Sequence, residues 1–415
     1  MNVLHARLTR PAARQVKKRH PWVFDQAITH LSKEGVAGDI AILHDDKRKQ
    51  IGIGLYDPNS PIRVRVLHAG GPAQIDDAFF ERKIIAACAK RASLLLDDTT
   101  GYRVVHGEND GLGGLVVDRY ADTLVVKVYS EAWLPHLESV TSSLRKELEP
   151  VRIVLRLARK LEDSIGASST QDDERQQGEI RDGSIYWGAP LVVGKEGETD
   201  IEFLERDMRF IADPLRGQKT GFFLDQRENR TRVEQCSEGA SVLNVFSYSG
   251  GFSLFAARGG ATEVTSLDFS RPALQAAERH FALNHDDKNI AACVHRILQG
   301  DAFAEMKKLA DDGKRFDVVI VDPPSFAKRA AEIDGALHSY ARLMRLALRL
   351  LVDGGQLVFA SCSSRIPVED FQAHAEATAM EMGRPLQVQQ VTEHALDHPI
   401  AFAEGAYLKC IYCRA

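Results

Sequence analysis

Apolar and polar positions follow three different rhythms along the chain, and each change of rhythm marks a change of architecture. Up to about residue 70 the apolar runs are short and broken by turn residues. Ile40, Ile42 and Leu43 form one run and Ile51–Leu55 another. In Ile62-Arg63-Val64-Arg65-Val66 the alternation is strict, which predicts a strand with the aliphatic residues inward and Arg63 and Arg65 outward. Asp57-Pro58-Asn59-Ser60-Pro61 is a turn cluster, so this stretch reads as a small β-barrel. Asp76 and Asp77 are placed to cap a helix carrying Phe80, Ile84, Cys88, Ala92 and Leu95 on one face. Leu115–Val117 and Leu124–Val128 flank a turn at Ala121-Asp122, as a hairpin would. Residues 162–183 are polar and acidic and read as a loop or insertion without its own core. Strand-like pieces near 185–193 and 208–212 complete a mixed α+β middle zone.

From about residue 240 strands and helices alternate. Strands are predicted at Val242–Phe246, Val264–Leu267, 293–298, Phe316–Val321, Gln356–Ala360, 386–391 and Ala406–Cys413. Helices are predicted at 251–258, 272–284, 302–310, 337–351 and 368–382. This alternation specifies a doubly wound α/β sheet, with its last two strands joined as a hairpin. The expected domains are therefore 1–72, 73–195 and 196–415.

Composition narrows the function classes. Hydrophobic residues make up 44% and charged residues 27%, a globular profile that excludes a disordered chain, a collagen and a coiled-coil rod. No apolar run approaches the ~18 residues a membrane span needs, and the N-terminus lacks the apolar core of a secretory signal. Six sparse cysteines read as reduced thiols, so a cytoplasmic location is expected. The net charge of 53 − 58 = −5 rules out indiscriminate polyanion coating and leaves local patches. Residues 1–20 hold one, with Arg7, Arg10, Arg14, Lys17, Lys18 and Arg19 and no acidic residue.

Ligands of doubly wound sheets bind at the carboxyl ends of the strands. The first such loop, Asn244-Val245-Phe246-Ser247-Tyr248-Ser249-Gly250-Gly251, lacks the glycine fingerprint of a dinucleotide site. S-adenosylmethionine carries no phosphate and tolerates such a loop. Asp268, ending the second strand, suits two ribose hydroxyls. Asp301, ending the third, suits an adenine amino group, with Phe303 beside the ring. The fourth strand ends in Asp322-Pro323-Pro324-Ser325-Phe326, a rigid loop able to shape a slot for a flat ring. The fifth ends in Ser361-Cys362-Ser363-Ser364. A thiolate adding to carbon-6 of cytosine makes carbon-5 nucleophilic, and an acid at ring nitrogen 3 assists. Cys362 and Asp322 supply that pair. The plainer readings are a helix cap for each aspartate, a strand terminator for the prolines and a buried apolar thiol. Cys410-x-x-Cys413 lacks a second ligand pair, so no metal is expected. Base N-methylation with a structural Cys362, and a non-catalytic RNA-binding protein, stay open. An NAD-dependent oxidoreductase is disfavoured by the missing fingerprint.

These features together resemble the RlmI-type class I methyltransferases, which make 5-methylcytosine in 23S ribosomal RNA. The resemblance runs nearly the whole chain: the opening from Arg14 through KKRHPWVF, Gly107–Leu112, Val117-Asp118-Arg119, Gln218–Arg227, Asn244–Gly251, the DPPSF and SCSS runs, and the closing HPI–EGAYLK stretch. It implies an N-terminal PUA domain, a central RNA-positioning domain, a Rossmann-like methyltransferase domain and a homodimer. Its implied cofactor loop contains Asn244, Phe246, Ser247, Tyr248 and Gly250. The strand ends add Asp268 and Phe269, Asp301 and Ala302, and Asp322 and Pro323. Phe223 and Gln226 would lie over S-adenosylmethionine, and Cys362 would be the nucleophile. For 23S RNA the implied contacts are Arg14, Lys17, Lys18, Arg19, Arg63, Arg65, Lys328 and Arg329. The sequence departs from the family at Asp25, where a small hydroxyl residue is usual, and in the acidic 162–183 stretch. Ser325 stands where two-cysteine cytosine methyltransferases carry a releasing cysteine, a feature the family shares.

Overall fold

A computed structural model describes residues 2–158, 161, 177–181, 184–187, 200–215 and 217–415. It divides into two compact units. The first comprises residues up to 207, 211–224 and 396–402; the second comprises 208–210, 225–395 and 403–415.

The first unit opens with β1 (Val3–Leu8), α1 (Arg10–Lys17), β2 (Trp22–Phe24), β3 (Ile28–Leu31), β4 (Ile40–His44), β5 (Gln50–Tyr56) and β6 (Ile62–Ala69). The strands form a sheet in the order β2-β6-β5-β4-β1-β3. Val23 on β2 and Ile28 and Leu31 on β3, at opposite ends of that order, pack on one core with Leu4, Val16, Leu43 and Val64, so the sheet curls round it. The alternation on β6 misplaces one residue. Arg65 is buried, with its guanidinium 3.5 Å from the Asp57 carboxylate, because Val66 and Leu67 are both covered and both faces of β6 are occupied.

The same unit continues with α2 (Asp77–Ala89), β7 (Gly101–His106), β8 (Leu115–Tyr120), β9 (Thr123–Val128), α3 (Leu137–Leu148), β10 (Arg152–Leu157), β11 (Gln177–Arg181) and β12 (Ser184–Trp187). These strands form a sheet in the order β12-β11-β10-β9-β8-β7, with only β9–β10 parallel, across the α3 connection. Asp76 caps α2 by accepting the Phe79 N–H at 2.9 Å, as its position predicts. The helix stops at Ala89, so Ala92 and exposed Leu95 leave its apolar face. Strand β11 occupies part of the stretch read as a loop; residues 162–176 and 182–183 lie outside the described residues. The β-rich start and this α+β part are fastened together. Trp22 Nε1 donates to Glu108 at 2.9 Å, His136 Nε2 lies 2.8 Å from the Gly38 carbonyl, and Leu55 and Leu67 belong to the α+β core. Strands β13 (Ile201–Glu205) and β14 (Met208–Ala212) mark the passage between units.

The second unit contains α4 (Arg227–Gln235), β15 (Ser241–Val245), α5 (Gly251–Arg258), β16 (Glu263–Asp268), α6 (Arg271–Leu283), α7 (Lys288–Ala292), β17 (Val294–Gln299), α8 (Ala302–Asp311), β18 (Phe316–Val321), α9 (Ile333–Leu350), β19 (Leu351–Ser361), α10 (Val368–Glu381), β20 (Gln387–Thr392) and β21 (Lys409–Arg414). Its seven-stranded sheet runs β17-β16-β15-β18-β19-β21-β20. All neighbours are parallel except β21, which is antiparallel to both flanking strands. Central strands read as continuous apolar runs because helices cover both faces. Val318, Val319, Ile320 and Val321 are accordingly all buried. The final hairpin forms as expected, although β21 starts at Lys409 and not at Ala406. The short α7 carries no periodic signal in the sequence.

Candidate active site

Three loops at the carboxyl ends of the neighbouring strands β15, β18 and β19 hold most of the candidate groups. The loop after β15 is held in an uncommon backbone conformation. Phe246 has φ +60°, Tyr248 +47° and Gly250 +74°. Left-handed geometry costs a residue with a side chain roughly 1–2 kcal/mol, so something must hold it. Asp268 at the end of β16 does so. Its carboxylate accepts the Tyr248 N–H at 2.8 Å and the Ser270 N–H at 2.8 Å, while the Ser247 N–H donates to the Leu267 carbonyl at 3.0 Å. A Cβ at Gly250 would stand 2.7 Å from the Ala277 Cβ, so glycine is required there by space as well as by φ. Ser247 Oγ is buried and has no hydrogen-bond partner among the described residues. Phe269, the next residue beyond Asp268, is 78% exposed.

Asn244 is fully buried inside β15, where its Nδ2 donates to Ser253 Oγ at 2.9 Å and its Oδ1 has no hydrogen-bond partner among the described residues. Asp301 serves as the N-cap of α8, accepting the Ala304 N–H at 3.0 Å, and its side chain is exposed. Ala302 is buried behind it. Phe303 is packed against the core with the Arg342 guanidinium 4.4 Å from its ring centroid.

Past β18, Asp322 accepts Gln226 Nε2 at 3.0 Å. Gln226 Oε1 accepts Asn229 Nδ2 at 2.6 Å, and Asn229 Oδ1 in turn accepts the Thr392 hydroxyl at 2.6 Å. Gln226 is therefore locked in one orientation. Past β19, the Cys362 thiol points at the Pro323 carbonyl, 3.7 Å away. The two loops interlock: Ser363 Oγ lies 3.0 Å from Ser325 Oγ and accepts the Ala327 N–H at 3.2 Å. Tyr340 from α9 hydrogen-bonds Ser361 Oγ at 2.8 Å, and burial pushes its phenol up to about 12. Asp322 and Cys362 thus follow directly on the neighbouring strands β18 and β19.

Residues 136–403 match the S-adenosylmethionine-dependent methyltransferase family, and residues 6–69 match a PUA-like domain. A ribosomal RNA large subunit methyltransferase of Deinococcus radiodurans is 42% identical over 99% of this chain and 97% of its own. Ribosomal RNA large subunit methyltransferase I of Shewanella amazonensis is 34% identical over 97% and 96%. The chain belongs to the RlmI-type S-adenosylmethionine-dependent methyltransferases. A solved chain, SMU.776 complexed with SAH, shares the fold at TM-score 0.80 and 19% identity, covering 100% of both chains.

The methyltransferase carries groups that fit its cofactor. Orphaned Ser247 Oγ offers a hydroxyl in the β15 loop, the Asp268 oxygens keep acceptor capacity beyond the two backbone donors, and Phe269 presents an uncovered ring. Phe223 belongs to the first unit, where the Lys219 ammonium stands 4.4 Å from its ring centroid.

The basic candidates separate into two groups. Arg14, Lys18 and Arg19 are exposed in the first unit, and Lys328 and Arg329 are exposed beyond the DPPSF loop in the second. Lys17 is paired with Asp45 at 2.7 Å. Arg63 is half-buried and bonded to the Asp57 and Pro58 carbonyls, so with Arg65 it leaves the set of surface cations. Sequence reasoning missed Asn229, Tyr340, Thr392 and Lys409. Asn229 stands three residues from Gln226, whereas Tyr340, Thr392 and Lys409 lie far along the chain from the groups they bond, and only the fold brings them together.

Proposed function

We propose that this enzyme methylates carbon-5 of a cytosine in 23S ribosomal RNA through a covalent bond from Cys362. The observation that carries the reading is the Cys362 thiol against the Pro323 carbonyl, beside Asp322, at the ends of β18 and β19. The thiolate adds to carbon-6, forming a carbon–sulfur bond and pushing an electron pair toward carbon-5. Asp322 is the acidic partner at ring nitrogen 3, and Gln226 fixes its orientation. S-adenosylmethionine, when bound, supplies the electrophilic methyl group. Once carbon-5 carries the methyl group, its proton passes to solvent, the carbon-6–sulfur bond breaks to release the thiolate, and the double bond is restored. The target base must leave any stack to reach this slot.

The names in the Deinococcus and Shewanella relatives support ribosomal RNA as the substrate class. The PUA-like domain at 1–72, a central domain at 73–195 and the catalytic domain at 196–415 would share the RNA. Arg14, Lys18, Arg19, Lys328 and Arg329 would contact its phosphates. We place the enzyme in the cytoplasm as a homodimer.

The test incubates wild type and Cys362→Ala with labelled S-adenosylmethionine and 23S RNA from a strain lacking the gene, and identifies the nucleoside by mass spectrometry. Label in 5-methylcytidine with wild type and none with the variant is expected. Label in a methylated guanosine or adenosine, untouched by the substitution, overturns the reading in favour of base N-methylation.

A further inference from the structure

Lys409 is a cation in an unusual place. It opens β21 and is 3% exposed. Because β21 runs antiparallel to β19, its first residue lies at the carboxyl end of β19, with Lys409 paired to Ser361. The side chain then reaches past Cys362, where its ammonium donates to the Ser363 carbonyl and to the Tyr407 carbonyl, the latter at 3.2 Å. Cys362 is thereby bracketed, with the Lys409 backbone against the residue before it and the Lys409 ammonium on the residue after it. Two carbonyls answer three N–H donors, and among the described residues no carboxylate lies within ion-pairing distance of the ammonium.

A buried ammonium without a counter-charge is costly, and an aliphatic side chain of the same length would fill the space without that cost. The anion this neighbourhood develops is the thiolate of Cys362, and it interacts favourably with the Lys409 charge. Resting on the reading of Cys362 as nucleophile, we propose that Lys409 is the positioning residue of that thiolate. Its stem and ammonium fix the turn that aims the sulfur, and its charge offsets the negative charge left when the thiol proton departs to solvent. Burial also pulls the ammonium down to about 8, so its support fades as pH rises through that value.

Other polar groups face this pair. Asp322 stands at the end of β18 under Gln226, and the Tyr340 hydroxyl reaches Ser361 from α9. Tyr407 bonds Asp225 at 2.7 Å, and His394 Nε2 accepts the Tyr407 and Leu408 N–H groups. Cys410 is buried next along β21, its thiol pushed well up by burial. None of these brings a positive charge to Cys362 comparable with the Lys409 ammonium.

The experiment measures the rate of Cys362 alkylation by iodoacetamide between pH 5.5 and 9.5 in full-length wild type, Lys409→Met and Lys409→Arg. Peptide-level mass spectrometry separates Cys362 from the other five cysteines. The expected result is alkylation at pH 7 about tenfold slower in Lys409→Met, as for loss of one opposite charge beside a thiol. Lys409→Arg, which keeps the charge, should restore most of the rate. A Met variant that folds, binds S-adenosylmethionine and alkylates with the wild-type pH profile overturns the proposal. If Lys409→Met does not fold, Lys409→Gln, which keeps donors for the carbonyls without the charge, is judged by the same criterion. No RNA is needed, so failure here is distinct from failure to form 5-methylcytidine.

Discussion

Asp268→Asn isolates the force that holds the cofactor loop. The carboxylate accepts two backbone N–H groups, from Tyr248 and Ser270, both at 2.8 Å. An asparagine side chain can accept one of them and must turn its NH2 toward the other. The loss is one hydrogen bond to a charged acceptor, about 1.5–3 kcal/mol, plus a donor–donor contact. That bond opposes the cost of left-handed Phe246 and Tyr248, together roughly 2–4 kcal/mol. The released loop would therefore sample other conformations, and cofactor affinity would carry the cost of restoring it. Since each 1.4 kcal/mol is a factor of ten, calorimetry should find S-adenosylmethionine binding weaker by about 10- to 100-fold. Thermal unfolding should fall as well, because Phe246 of this loop packs against the core of the second unit. An affinity within twofold of wild type would refute the reasoning, since it would mean that neither the charge nor the second acceptor restrains the loop.

Arg65 and Arg19 should separate burial from surface charge. Arg65→Ala leaves Asp57 buried without its partner and should cost roughly 3–5 kcal/mol in urea unfolding. Arg19→Ala should leave stability unchanged but weaken RNA binding and lower the salt slope by about one; equal melting losses for the two variants would contradict this. His295 stacks on Phe281 with centroids 3.8 Å apart, and burial pulls its imidazole down to about 4. The folded state then binds fewer protons than the unfolded one between that value and about 6.5, so stability should fall as pH is lowered through this window. His295→Gln should flatten that slope, and an unchanged slope would assign it to other groups.

The alternation of apolar runs after residue 240 was enough to locate every strand of the second unit, because buried parallel strands are continuous apolar segments and their turns are marked by Asp, Gly and Pro. The DPPSF and SCSS loops were legible for the same reason, as they follow such strands directly. Period-two alternation failed at Arg65, where Asp57 supplies a buried counter-charge that no local pattern announces. The Gln226–Asn229–Thr392 chain was also hidden, since its members are brought together only when α4 and β20 take their places. Asp301 shows the limit of a motif read residue by residue. The same carboxylate that suits an amino group also caps its helix, and the capping bond to the Ala304 N–H is the one the geometry displays.

The two prolines explain why the site needs so many side-chain fastenings. Pro323 and Pro324 have no N–H, so the loop past β18 cannot be tied by its own backbone donors at those positions. Its restraint has to come from groups outside it. Gln226 holds Asp322 on one side, and Ser363 holds Ser325 and Ala327 on the other. Ser363 is itself fixed, its N–H against Ser361 Oγ at 3.3 Å and its carbonyl on the Lys409 ammonium. The loop bearing the acid and the turn bearing the thiol therefore share one set of fastenings. A change that shifts Ser363 must move both loops at once. Keeping the distance between them constant is what the proposed addition across a flat ring would require, with the sulfur above the ring and the acid at its edge.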